Sequence, residues 1–219
     1  EVARKEKLDE IVMVGPVRRP SIVALRPDAL AARVLAKAGA SSVMGDDGLL
    51  KAIIRQIEDF GFKVIGPHEL LQEGVNSEGT LGRCEPDDIA LQDIRRGCLI
   101  LTALGPADVG QSIVIQDNIV IAIEAVEGTD AMIQRSGPLH REGPGGVLVK
   151  LPKPGQEKRA DLPTIGPQTV ENADKAGIRG IAIHASDTLF VDREQTIALA
   201  DSLGLFIFSF DPDKWLESA

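Results

Sequence analysis

Two cysteines in 219 residues are too few for a disulfide scaffold. Cys84 and Cys98 also lack the spacing of a metal-binding pair, and the helical phase around Cys98 points to buried thiols for both. Histidine is equally scarce: His68, His140 and His184 are dispersed along the chain, which argues against a histidine-built zinc centre. Basic residues are outnumbered 24 to 33, for a net charge of -9. That balance argues against a general nucleic-acid binder, whose affinity rests on neutralising phosphates. Any contact with a phosphate must therefore come from a local basic cluster. No run approaches the roughly 18 apolar residues of a membrane span, and no signal-peptide pattern opens the sequence, so a cytoplasmic location is expected. Also missing are the phosphate-cradling P-loop, the nucleophile elbow and the zinc-protease helix. GPGGVL (143–148) lacks the last glycine of a dinucleotide loop.

What is present is a globular composition, 43% apolar, long enough for one sizeable core or two smaller ones. The chain starts at Glu1 without Met and reaches a strand-like EIVMVG (10–15) almost at once, which reads as a domain entered midway. RPDALAARVLAKAG predicts a helix stopped by Gly39. DDGLLKAIIRQIEDFG predicts an amphipathic helix with Leu49, Leu50, Ile53, Ile54 and Ile57 on one stripe, and FKVIG a strand. Residues 1–67 thus form an α/β layer. The polar, glycine-bearing stretch 68–82 reads as a linker, and 83–219 as a second domain. In it, a helix capped by Asp87 precedes a hairpin turning at Asp117-Asn118, and EGTDAMIQR reads as a turn into a helix. Strand GGVLVKL, helix TVENADKAG, strands GIAIHA and TLFVD, helix REQTIALADSLG and strand LFIFSF follow. The fold class is α/β, with a mixed sheet in the second domain.

Three loops between these elements share one composition: PADVGQ (106–111), EAVEGTDAMIQR (124–135) and KLPKPGQEKRADLPTIG (150–166). In the third, Lys150, Lys153, Lys158 and Arg159 outweigh Glu157 and Asp161, a locally basic segment in an acidic protein. Arginine offers a fork and lysine a point charge to phosphate oxygens, and a carboxylate beside cations stays ionised, as Mg²⁺ requires. The second loop adds Glu124, Glu127 and Asp130 as oxygen ligands, with Gly128 and a helix start for an anion. The first adds Asp108, Gly110 and Gln111. Each loop taken singly also reads as a solvated connection, Asp130 as a dipole complement and Lys150 as an outward strand residue. Phe206, Phe208 and Phe210 share a strand face suited to core packing or to acyl chains.

DVGQ, EAVEGTDAMI and KLPKPGQEKRADLPTIGPQTVENADKAG together resemble the LpxI-type UDP-2,3-diacylglucosamine pyrophosphatases of lipid A biosynthesis. The similarity runs from about residue 10 to residue 210, with VGPVRRP and VIGPHELL included. The resemblance implies a Rossmann-like N-terminal domain, apparently incomplete here because the family's first strand and Gly-rich turn are lacking, and a mixed-sheet α/β C-terminal domain, with ligand between them. It implies hydrolysis of UDP-2,3-diacylglucosamine to lipid X and UMP by water attacking the α-phosphorus, with Mg²⁺ or alternatively Mn²⁺. Asp161, in R-x-D-L-P, is implied as catalytic, as metal ligand or as the group orienting water, and Asp130 joins it in both roles. Glu127 completes the metal set. Asp108, Gly110, Gln111, Thr129, Lys150, Lys153, Arg159 and Thr164 are expected to bind substrate. Glu157 stands where the family pattern has Asp.

The lipid substrate further implies a peripheral cytoplasmic protein in transient contact with the inner membrane surface, with a homodimer as one possible state and no nucleic-acid partner. Acyl chains would lie on the Phe206/Phe208/Phe210 face or on the apolar side of residues 88–104. Competing readings are a nucleotide-sugar or phosphate sensor without turnover, a transferase using the same diphosphate, and an interaction domain with merely solvated loops.

Overall fold

The computed structural model describes residues 5–15, 46–71 and 76–217. The helix expected over RPDALAARVLAKAG lies outside them. Two compact units emerge. The first comprises 1–73 together with 156–162, and the second 74–155 with 163–219.

In the first unit, β1 (Glu10–Val12) and β2 (Lys63–Ile65) pair in parallel, Ile11 opposite Val64. Parallel strands need a crossover between them, and the intervening chain contains helix α1 (Asp46–Asp59). Its Leu50 and Ile54 are buried, as are Val64 and Ile65 of β2. The short helix α2 (Pro67–Leu71) follows, its first turn tied by Glu69 Oε1 accepting from the Gly66 backbone N–H at 2.8 Å.

The second unit is built on a six-stranded sheet in the order β3-β10-β8-β6-β4-β5. Its strands are β3 (Gly79–Thr80), β4 (Ser112–Gln116), β5 (Ile119–Ile123), β6 (Gly146–Lys150), β8 (Ile178–His184) and β10 (Phe206–Phe210). The three central strands β10, β8 and β6 run parallel, while β4 is antiparallel to β6, β5 to β4 and β3 to β10. A separate parallel pair joins β7 (Thr164–Ile165) and β9 (Leu189–Phe190). The mixed α/β sheet expected of this region is therefore present.

The period of two along each strand sends alternate residues to two cores. Val114, Leu148, Ile181 and Ile207 meet helices α4 (Thr129–Ser136), α5 (Pro167–Lys175) and α6 (Arg193–Leu203). Ile113, Ile115, Val147, Val149 and Phe206 meet α3 (Asp88–Leu104) and, at its edge, Trp215 of α7 (Pro212–Glu217). Core packing is thus the role of Phe206 and Phe210, both buried, while Phe208 is half-buried against Trp215. Cys98 is buried as expected, whereas Cys84 is only half-buried because it precedes α3 rather than lying on its inner stripe. The stretch 68–82 is also less irregular than its composition predicts. It contains most of α2 and the edge strand β3, whose two residues are held by ladder bonds from β10 rather than by any propensity of their own.

The hairpin turns where the sequence places it. Asp117 and Asn118 adopt φ of 53° and 61°, the left-handed pair that matches strand twist. Their backbone N–H groups donate to the carboxylate of Asp93 on α3, at 3.2 and 2.7 Å, and Asp93 is fully buried. Replacing Asp93 with alanine is expected to cost about 2–3 kcal/mol, since two turn donors lose their acceptor; urea unfolding measures it. Burial pushes the Asp93 carboxyl up. The native state then keeps its proton to a higher pH than the unfolded chain, so this part of the stability is complete at low pH and declines as pH rises through the raised value. Asp93→Asn should remove that slope.

Candidate active site

Because β4 runs against β6 and β5 against β4, the start of β4, the end of β5 and the end of β6 meet at one end of the sheet. This is also the carboxyl end of the parallel strands β6, β8 and β10, outside which open α/β sheets bind ligands. The loops 106–111, 124–128 and 150–155 all leave from it. Register does the rest: Ser112 pairs with Lys150 across β4 and β6, placing a hydroxyl beside an ammonium.

Lys150 is 5% exposed, contrary to an outward strand position. Its Nζ donates to Thr129 Oγ1 at 2.6 Å and to Ser112 Oγ at 3.4 Å. Thr129, the first residue of α4, donates in turn to Glu124 Oε1 at 3.1 Å. The other Glu124 oxygen accepts from the Gln111 backbone N–H at 3.4 Å. A buried lysine charge is tolerable only with such partners, because desolvation otherwise penalises it by several kcal/mol. The Gln111 side-chain oxygen lies buried without a hydrogen-bond partner among the described residues. At Gly110 a Cβ would sit 2.1 Å from the Glu124 carbonyl oxygen, so only glycine lets the two loops touch.

The remaining predicted residues of this unit are placed as follows. Lys153 forms an ion pair with Asp108, which adopts a left-handed φ of 52° at the end of a short turn. Asp130 accepts from the amide of Asn172 at 3.1 Å, and Asn172 is itself held by Gln168 at 3.1 Å. Glu127 is engaged by Arg135 at 2.6 Å, an arginine that also donates to the Ile123 carbonyl. Its own backbone N–H, and after it the Arg135 guanidinium, hold the Glu127 carboxyl below the usual glutamate range. Thr164 opens β7 and is exposed.

The third loop is divided between the units. Residues 156–162 belong with the first, where the Glu157 backbone N–H donates to Asp47 Oδ1 at 2.7 Å and Arg159 reaches Glu58 at 2.6 Å. Arg159 also forks both oxygens of Glu157, at 2.8 and 2.9 Å. The fork holds the Glu157 carboxyl below the usual glutamate range and pushes the arginine further up. Glutamate at position 157 is thereby long enough to close on Arg159 from two residues away. Asp161 receives the side-chain amide of Gln156 and donates its own backbone N–H to the Glu157 carbonyl at 3.0 Å.

Among the described residues, no three histidine, cysteine, aspartate or glutamate side chains converge on a point. Of the three expected metal ligands, Glu127 fits least, since its carboxylate is engaged by a cation. Asp161 and Asp130 fit better: both are hard oxygen donors bonded by neutral amides, a setting that Mg²⁺ can enter while keeping most of its waters. Residues that sequence reasoning missed are Ser112, Gln156, Gln168 and Asn172. Nothing in the sequence marks Ser112, whose register opposite Lys150 only the fold reveals, and the others are amides whose partners likewise depend on the fold.

Two family models match the chain one after the other: the LpxI N-terminal domain over residues 1–74 and the LpxI C-terminal domain over 77–208. UDP-2,3-diacylglucosamine pyrophosphatase LpxI of Caulobacter vibrioides is 41% identical over 217 residues, spanning 96% of this chain and 78% of the relative. With both domains matched and that identity over nearly the whole chain, the protein belongs to the LpxI family.

Proposed function

We propose that this protein hydrolyses the diphosphate of UDP-2,3-diacylglucosamine in lipid A biosynthesis, releasing lipid X and UMP, with water attacking the α-phosphorus. The observation that carries the reading is the 41% identity, over 96% of the chain, to a relative named for that pyrophosphatase activity. The chemistry of the site supports it. A diphosphate cannot be approached by water until its charge is offset, and the buried Lys150 supplies a fixed positive charge at the carboxyl end of the sheet. Gly110 brings the backbone of the 106–111 loop against Glu124, and Gln111 offers a buried carbonyl oxygen for a substrate donor. Asp161 is the group that orients the attacking water or takes its proton. Asp161 in the first unit and Asp130 in the second are each hard oxygen donors suited to Mg²⁺ or Mn²⁺, which when bound would polarise the phosphoryl oxygens and acidify water.

On this reading the first unit is Rossmann-like, which its parallel β1–β2 pair with an intervening helix supports. The acyl chains of the substrate put the protein at the cytoplasmic surface of the inner membrane, visiting rather than crossing it. Among the described residues no helix is long and apolar enough to cross a membrane.

Incubation with UDP-2,3-diacylglucosamine and Mg²⁺, followed by mass analysis, is expected to yield lipid X and UMP in equal amounts, with turnover lost on chelation. Saturable binding with no product over hours would instead make the protein a nucleotide-sugar binder.

A further inference from the structure

Glu124 stands apart from the residues expected to meet substrate. It follows β5, is 8% exposed, and bonds Thr129 and the Gln111 backbone within its own unit. The sequence offers it as an oxygen ligand for a metal. Its surroundings give it another task. The Thr129 hydroxyl has one proton and two lone pairs, and three neighbours compete for them. Lys150 Nζ, at 2.6 Å, can only donate, so Thr129 must accept from it. An ionised Glu124, at 3.1 Å, can only accept, so the single Thr129 proton points to it. Ser112 Oγ, at 3.3 Å, is left to donate into the second lone pair while accepting from Lys150 at 3.4 Å. The polarity of both hydroxyls thus follows from the ammonium on one side and the carboxylate on the other.

We propose that Glu124 is a positioning residue: its carboxylate takes the Thr129 proton and so aims the Thr129 lone pairs at Lys150, offsets the buried ammonium, and holds that charge at one point of the site. Thr129 is then left with no proton to offer a phosphate. Glutamine in place of Glu124 keeps the shape but removes the charge, and its amide sets a donor against either Thr129 or the Gln111 N–H. The ammonium loses a carboxylate-oriented acceptor and exchanges its protons with water faster. The consequence for turnover rests on Lys150 acting on the substrate diphosphate, as proposed above; the hydrogen-bond order does not.

The test reads both. In ¹⁵N-lysine-labelled protein, the wild type should show a protected ammonium resonance that Lys150→Met removes and so assigns. Glu124→Gln and Thr129→Val should broaden or lose it, while Thr129→Ser, which keeps the hydroxyl, should retain it. In the pyrophosphatase assay Glu124→Gln should lower kcat about 10–100-fold with KM changed less than about threefold, the signature of a displaced charge rather than lost binding. An unaltered resonance in Glu124→Gln overturns the positioning role, whether or not the protein turns over substrate. An altered resonance with unchanged kcat overturns its bearing on catalysis. Absence of turnover in the wild type counts against the proposed function and leaves the resonance to decide the role of Glu124. If Glu124→Gln does not fold, the Thr129→Val and Thr129→Ser pair decides by the same resonance.

Discussion

Asp161→Ala should abolish measurable turnover, lowering kcat by about 10³-fold or more, while the dissociation constant for UDP-2,3-diacylglucosamine stays within a few-fold of wild type. The expectation follows from what surrounds the carboxylate. Arg159, the nearest cation in sequence on that segment, is engaged by Glu157 and Glu58. Asp161 is instead bonded by the neutral amide of Gln156. A carboxylate left to accept protons and to meet a hard cation suits the orientation of water, and its loss should act on the chemical step. Little stability is at stake, because the side chain is half-buried and forms no ion pair among the described residues, so the fold should lose less than about 1 kcal/mol. Asp161→Asn should fail almost as completely, since it keeps the shape without the charge. Steady-state kinetics beside calorimetric binding separates the two effects. A variant with near-wild-type kcat would remove Asp161 from the mechanism.

Gly110→Ala should be the most damaging single methyl addition in the second unit. The added carbon would lie 2.1 Å from the Glu124 carbonyl oxygen and 2.6 Å from its carbon, both backbone atoms that cannot rotate away. The 106–111 loop must then part from the end of β5, displacing Glu124 and, through it, Thr129 and Lys150. Overpacking of this kind costs about 3 kcal/mol or more when backbone must move, and a displacement near 1 Å costs about 10²-fold in rate. Gly128→Ala is the control. Its φ of 83° strains an alanine, but its Cβ would meet nothing within 4 Å, so a loss of only about 1 kcal/mol is expected. Denaturant unfolding of both variants, with turnover measured on each, checks the contrast. Equal losses would mean that the close approach at Gly110 carries no special weight.

Much of the fold was legible because apolar periodicity is a local signal. Leu50 and Ile54 mark one helix face, Ile94, Cys98 and Leu101 another, and the Asp117-Asn118 turn announces its hairpin by residue type alone. The three loops of the site were legible for the same reason, being short, charged and glycine-bearing. What connects them was not. The meeting of Ser112 with Lys150 depends on which residue of β4 faces that lysine, and nothing local in SIVIQ states that register. Arg159 reads as a phosphate fork until Glu58, about a hundred residues earlier, is found bonded to it. Glu127 reads as a ligand until the turn into α4 brings Arg135 back to it. The basic third loop reads as one segment, yet residues 156–162 pack with one unit and their neighbours with the other. Long-range pairing of charges is what composition cannot display, and in this chain it decides which cations and carboxylates are already occupied by each other.

Hydrolysis at the α-phosphorus is tested most directly by turnover of UDP-2,3-diacylglucosamine in ¹⁸O-water with Mg²⁺, with both products weighed by mass spectrometry. The account predicts one ¹⁸O atom in UMP and none in lipid X. Label in lipid X instead would place the attack on the β-phosphorus and contradict the assigned geometry.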